Sequence, residues 1–154
     1  MIEQYRQGKE ITIDIIDGKI KAQIAGGCAS CSFGELKITV APSGNIYPCE
    51  RLIGEDEGDL AIGNVHSGFD HSKRAELIAQ RGNSNEECQD CPLKERCTNS
   101  CGCTNYTLTG SINSVNGVIC FFQKLFIEVA DRVASTLYQE KNEIFLRKFY
   151  GVSN

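Results

Sequence analysis

What this sequence lacks narrows its function first. None of its 154 residues belongs to a stretch approaching the roughly 20 apolar residues of a membrane-spanning helix, so no membrane partner is expected. It has no excess of positive charge: 16 Lys and Arg stand against 20 Asp and Glu, a net charge of −4. The basic face of a general nucleic-acid binder is therefore missing. The acidic cluster Glu55-Asp56-Glu57 with Asp59 reads as a solvated loop, so charge says little about partners. Histidine is scarce, and His66 and His71 lack ligand spacing and read as surface residues. The opening MIEQYRQGKE has no apolar h-region, which argues against a secretory signal and for a cytoplasmic chain. There is no internal repeat and no low-complexity segment. The length leaves room for one domain or two small lobes, and 41% hydrophobic content with 15 glycines points to a modest, loop-rich core.

Cysteine is what the chain has in plenty. Nine are present, five of them within residues 88–103. Nine is odd, whereas disulfide frameworks use even counts. In a reducing cytoplasm thiols stay free, so clustered cysteines there read as metal ligands.

The pattern around them is mixed. Residues 10–25, EITIDIIDGKIKAQIA, alternate apolar and polar on both sides of Asp17-Gly18, predicting a β-hairpin with Ile11, Ile13 and Ile15 answered by Ile20, Ala22 and Ile24. Residues 36–49 repeat the pattern around Pro42-Ser43-Gly44, where Gly44 meets a turn requirement and the returning strand delivers Cys49. Residues 60–65 predict a short strand, 72–82 a short helix ended by Gly82, and 88–117 a loop. Phe122, Leu125, Phe126, Val129, Ala130, Val133, Leu137 and Tyr138 recur at helical spacing, and Phe145, Leu146, Phe149 and Tyr150 continue on a further amphipathic turn.

Ligand counting organises the thiols. An iron–sulfur cube and a tetrahedral zinc each need four. Cys88-x2-Cys91-x5-Cys97 wraps three corners of one site, and Cys120, placed before the long helix, supplies a fourth. Cys28-x2-Cys31 and Cys49 form a second group whose missing corner is Cys101 or Cys103. Spacing alone selects neither between those two nor between iron–sulfur and zinc. Pro48 and Pro92, next to Cys49 and Cys91, stiffen their loops. Arg51 reads either as a neutraliser of cluster charge or as an exposed arginine.

The order Cys31-x12-Gly44-x4-Cys49, then Cys88-x2-Cys91-x5-Cys97-x3-Cys101, then Cys120 resembles the seven-cysteine signature of SPASM domains. These are C-terminal extensions of radical SAM enzymes that modify peptides and proteins. The resemblance spans roughly residues 28–120 and includes the trailing helix. It implies a small α+β fold with two β-hairpins, cysteine-rich loops and a long C-terminal helix. It also implies two auxiliary [4Fe–4S] clusters, the first on Cys28, Cys31, Cys49 and Cys101, the second on Cys88, Cys91, Cys97 and Cys120. Cys103 has no place in the signature and is left as a spare thiol, an alternative ligand or a buried small residue.

The Cys-x3-Cys-x2-Cys loop of a radical SAM core is absent, since Cys97-x3-Cys101 is followed by Cys103 after a gap of one. The expected organisation is a linker and first hairpin over 1–27, the two-cluster domain over 28–120 and a helical segment over 121–154, following a core domain supplied elsewhere. S-adenosylmethionine would enter only through that core. The expected role is electron transfer and substrate positioning, on the side of peptide maturases, some of which form thioether crosslinks; the chain alone should be inactive. The competing readings are a structural module with two four-cysteine zinc sites and a free-standing two-cluster electron carrier.

Overall fold

The segment expected as the first hairpin is a helix. The computed structural model describes residues 1–27, 32–80, 86–98 and 101–151, the side chain of Glu87 apart. A short helix α1, Ile2–Arg6, precedes α2, Asp14–Ala25. Of the alternating set, Ile13, Ile15 and Ile24 are each about two-fifths exposed and Ile20 is 0% exposed, while Ile16, outside that set, is 6% exposed. A spacing of four puts Ile16 and Ile20 on one helical face, and that face outweighed the strand period. Asp14 and Asp17 in the first turn suit the positive end of the helix dipole, and Gly26 at φ +76 ends the helix in the left-handed region. The cost of Gly18 inside the helix, about 1 kcal/mol, is covered by the buried face.

The chain divides into two compact units, of which one is Met1–Ala29, Glu95–Cys97 and Phe121–Asn154. Its core is Tyr5, Ile16, Ile20, Ala130, Val133, Ala134, Leu137 and Phe145. The last five come from the long C-terminal helix α6, Gly117–Gln139, and from α7, Glu143–Tyr150. Asn142 caps α7 by accepting from the Phe145 N–H at 3.0 Å. The buried stripe of α6 is Ile127, Ala130, Val133, Ala134 and Leu137; Phe122, Leu125 and Tyr138, expected in it, are 43%, 38% and 55% exposed. Lys148 of α7 reaches Asp17 of α2 at 2.6 Å, giving the buried carboxylate a counter-charge.

The other unit is Ser30–Lys94 and Thr98–Cys120. It carries a four-stranded antiparallel sheet in chain order: β1 Thr39–Val40, β2 Asn45–Tyr47, β3 Gly63–Asn64 and β4 Gly68–Phe69. The expected second hairpin is β1–β2, with Thr39 opposite Tyr47 and Val40 opposite Ile46. Gly44 sits at φ +88, and a Cβ there would lie 2.9 Å from Val65 Cγ2, so the turn admits only glycine. The strand expected within 60–65 is β3, and the helix expected over 72–82 is α3, His71–Gln80; Gly82 lies outside the described residues.

The expected loop over 88–117 holds more structure than its composition suggests. It includes the end of α4, Glu86–Gln89, a 3-10 turn at Lys94–Arg96 and α5, Gly102–Thr109. Helix α5 has no apolar periodicity to announce it. Its threonines bond backward instead, Thr107 to the Cys103 carbonyl and Thr109 to that of Asn105, each at 2.9 Å. The core of this unit gathers Phe33, Ile46, Tyr47, Cys49, Leu52, Ile62, Leu77, Cys103 and Ile112. The fold is thus α+β with a long C-terminal helix, and among the described residues no helix is long and apolar enough to cross a membrane.

Candidate metal centre

The sheet and α5 bring one group of thiols together. Cys49 lies two residues beyond β2, at the start of a 3-10 turn over Glu50–Leu52, and is 5% exposed. Cys101 is the residue before α5 and Cys103 lies in its first turn, 3% exposed. Their sulfurs are 3.3 Å apart. Gly102 between them makes this possible: a Cβ there would lie 2.8 Å from Ile112 Cγ2 and 3.4 Å from the Phe33 ring, so the first turn of α5 presses directly on the core. The Cys103 thiol also interacts with that of Cys49, while the Cys49 thiol donates to Glu50 Oε2 at 3.6 Å.

A polar relay reaches the group from the hairpin side. Arg51 Nη1 donates to Thr104 Oγ1 at 3.0 Å, and that hydroxyl donates to Cys101 Sγ at 3.2 Å. Burial opposes ionisation of Cys101, but hydrogen bonds from Thr104 and Cys103 and the Arg51 charge bring its pKa below the ordinary thiol value. Cys103 goes the other way: burial, followed by its bonds to and charge repulsion from Cys101 and Cys49, pushes it up to about 12. The exposed Arg51 therefore acts on thiol charge. Thr104 went unforeseen because only the helix, which the composition conceals, places it three residues past Cys101 and beside its sulfur.

Cys28 and Cys31 lie outside the described residues. Of the second set, Cys88, Cys91 and Cys120 belong to the sheet-bearing unit and Cys97 to the helical one. Cys91 N–H donates to the Cys88 carbonyl at 3.3 Å, and Cys120, expected before the long helix, stands in its first turn with its N–H on Asn116. Cys49, Cys91, Cys101, Cys103 and Cys120 form no disulfide. Among the described residues, no three His, Cys, Asp or Glu side chains are set in a group that could hold a metal ion. His66 and His71 are exposed.

The donors nonetheless suit a soft-metal site. Buried thiols with hydroxyl and guanidinium donors nearby are the surroundings that stabilise thiolate ligands and tune a cluster. Two thiolates on one tetrahedral zinc stand about 3.8 Å apart, given a Zn–S bond of about 2.3 Å. The 3.3 Å separation of Cys101 and Cys103 is shorter, the distance of two hydrogen-bonded thiols and not of two ligands on one zinc. No protein-family model matches the chain, and no curated protein matches it.

Proposed function

We propose that the chain is a SPASM-type auxiliary domain of a cytoplasmic radical SAM peptide maturase, holding two [4Fe–4S] clusters. The first would be held by Cys28, Cys31, Cys49 and Cys101, the second by Cys88, Cys91, Cys97 and Cys120. The observation that carries this reading is the meeting of Cys49 and Cys101, distant in sequence, around the buried Cys103. When bound, the clusters supply one-electron redox chemistry. The chain's own part is to hold the thiolates and shield them from water. Arg51, through Thr104, would offset the negative charge at Cys101, and Cys103 would keep its proton and donate to a ligating sulfur. S-adenosylmethionine chemistry belongs to a core domain, in cis or in trans, and the peptide substrate binds against that pair.

Anaerobic reconstitution followed by iron, sulfide and zinc analysis tests the reading. Two cubes require about eight iron and eight sulfide per chain and a brown colour; about two zinc without colour would replace the reading with a structural zinc module.

A further inference from the structure

Two sulfurs of the thiol group touch without being joined. Cys101 Sγ and Cys103 Sγ are 3.3 Å apart, so they need to close by only about 1.2 Å to reach the about 2.05 Å of a disulfide bond. Residues two apart in a helix stand about 5.4 Å apart at Cα, inside the span of roughly 4.4–6.8 Å that a disulfide bridges. Within a helix their side chains diverge. Cys101 escapes that limit because it precedes α5, with an extended backbone at ψ 95, and its sulfur turns toward Cys103. Thr104 Oγ1 holds it there with a hydrogen bond at 3.2 Å. Access separates the three thiols: Cys49 and Cys103 are 5% and 3% exposed, whereas Cys101 is partly open to solvent. Cys49 also has an acceptor of its own, Glu50 Oε2 at 3.6 Å.

We infer that Cys101 and Cys103 are a redox-active dithiol, a site that hydroperoxides oxidise to an intramolecular disulfide. The Cys101 sulfur attacks the terminal oxygen of the peroxide and the O–O bond breaks. The departing oxygen takes up the Cys101 proton and leaves as water or an alcohol. Cys101 is then a sulfenic acid, oxidised by two electrons while the peroxide is reduced by two. The Cys103 sulfur next attacks Cys101 Sγ. The S–S bond forms, the S–O bond breaks, and the hydroxyl leaves with the Cys103 proton as water. Cys103 is the resolving thiol by position, since a group held against its target needs no encounter. A bridge across a single residue removes little entropy from the unfolded chain, and thiols reduce such a labile bridge back to the dithiol. The assignment needs no metal and is independent of the metal-binding reading.

The test treats the full, reduced, metal-free chain with equimolar hydrogen peroxide and blocks the remaining thiols with one alkylating reagent. After reduction a second reagent labels the thiols released, and tandem mass spectra give the state of each cysteine. Cys101 and Cys103 should pass to the second label in step, Cys49 should keep the first, and dithiothreitol should restore both thiols. Bridging should be at least tenfold faster than in the chain unfolded in urea, because the fold holds the two sulfurs together. In Cys103→Ser, Cys101 should stop at the sulfenic acid and be captured by dimedone. In Cys101→Ser, Cys103 should keep the first label, having lost the accessible sulfur that reacts first. A Cys103 that stays reduced while Cys101 is oxidised would overturn the inference. So would a bridge from Cys103 to Cys49, or equal rates of bridging in the folded and unfolded chain.

Discussion

Replacing Gly102 with alanine should destabilise the protein although it adds a better helix former. Gly102 opens α5 between Cys101 and Cys103 and has an ordinary helical backbone, so conformational strain does not protect the glycine. By propensity alone, Ala for Gly in a helix gains up to about 1 kcal/mol, and less in the first turn. Against this, the new Cβ would lie 2.8 Å from Ile112 Cγ2 and within 3.4–3.5 Å of two Phe33 ring atoms. Neither neighbour can swing into solvent, Ile112 being 3% and Phe33 0% exposed. Relieving the clash means lifting the start of α5 or forcing those side chains off their rotamers, at a cost of about 1–3 kcal/mol. The expected net loss is about 1–2 kcal/mol, a fall in Tm of roughly 2–8 °C for a chain of this size. Denaturant unfolding of Gly102→Ala beside wild type reads it. Because the same turn carries Cys101 and Cys103, thiol accessibility to a small alkylating reagent should rise as well. A variant as stable as the wild type, with unchanged thiol accessibility, would refute the claim that the start of α5 is pressed onto Phe33 and Ile112.

Lys148→Met should cost about 3 kcal/mol, the lower end for breaking a buried ion pair, because it strands Asp17 at 6% side-chain exposure with Oδ1 already lacking a hydrogen-bond partner. Burial disfavours the Lys148 charge, but Asp17 and Tyr5 lift its pKa above the ordinary value. Its contribution is therefore complete below about pH 10.4 and disappears as pH rises through the folded value. Urea titrations between pH 9 and 12 should show an alkaline loss in wild type that is smaller in Lys148→Met. At the acid end, Ser43, with Tyr47 and Asn45, hydrogen-bonds Asp56 and holds it below the ordinary carboxylate range. That stabilisation is present above about pH 3.9 and lost as pH falls; Asp56→Asn, which suits the left-handed φ of +61 there, should flatten the acid limb of a stability–pH curve. Finally, Cys101→Ala should lose first-site iron whereas Cys103→Ala keeps most of it, and equal losses would mean that the adjacent thiols have been assigned wrongly.

The β1–β2 turn was legible because its requirement is local: only glycine meets φ +88 beside Val65. The existence of α6 was legible too, since 23 residues of helical periodicity leave little room for a strand. Its buried face was less so, because Phe122 and Leu125 fit the same period as Ala130 and Ala134 and only packing separates them. Residues 10–25 satisfied two periods at once, and Asp17-Gly18 tipped the reading to a hairpin. What decided for the helix was the long-range pairing of Asp17 with Lys148, 131 positions away, and the burial of Ile16 and Ile20. At the site, the cysteine spacing pointed to Cys49 and left Cys101 and Cys103 open, and only the family resemblance implied Cys101. The spacing did not give Cys103 a place beside Cys49 and Cys101, or Thr104 its place beside the Cys101 sulfur, because those depend on a helix without apolar periodicity.

The most direct test of the central claim is the metal content of the full chain after anaerobic reconstitution with iron and sulfide in competition with zinc. The account predicts about eight iron and eight sulfide per chain, falling by about half in Cys101→Ala and by about half in Cys97→Ser. Retention of zinc alone, or of no metal with the thiols still reactive, would contradict it.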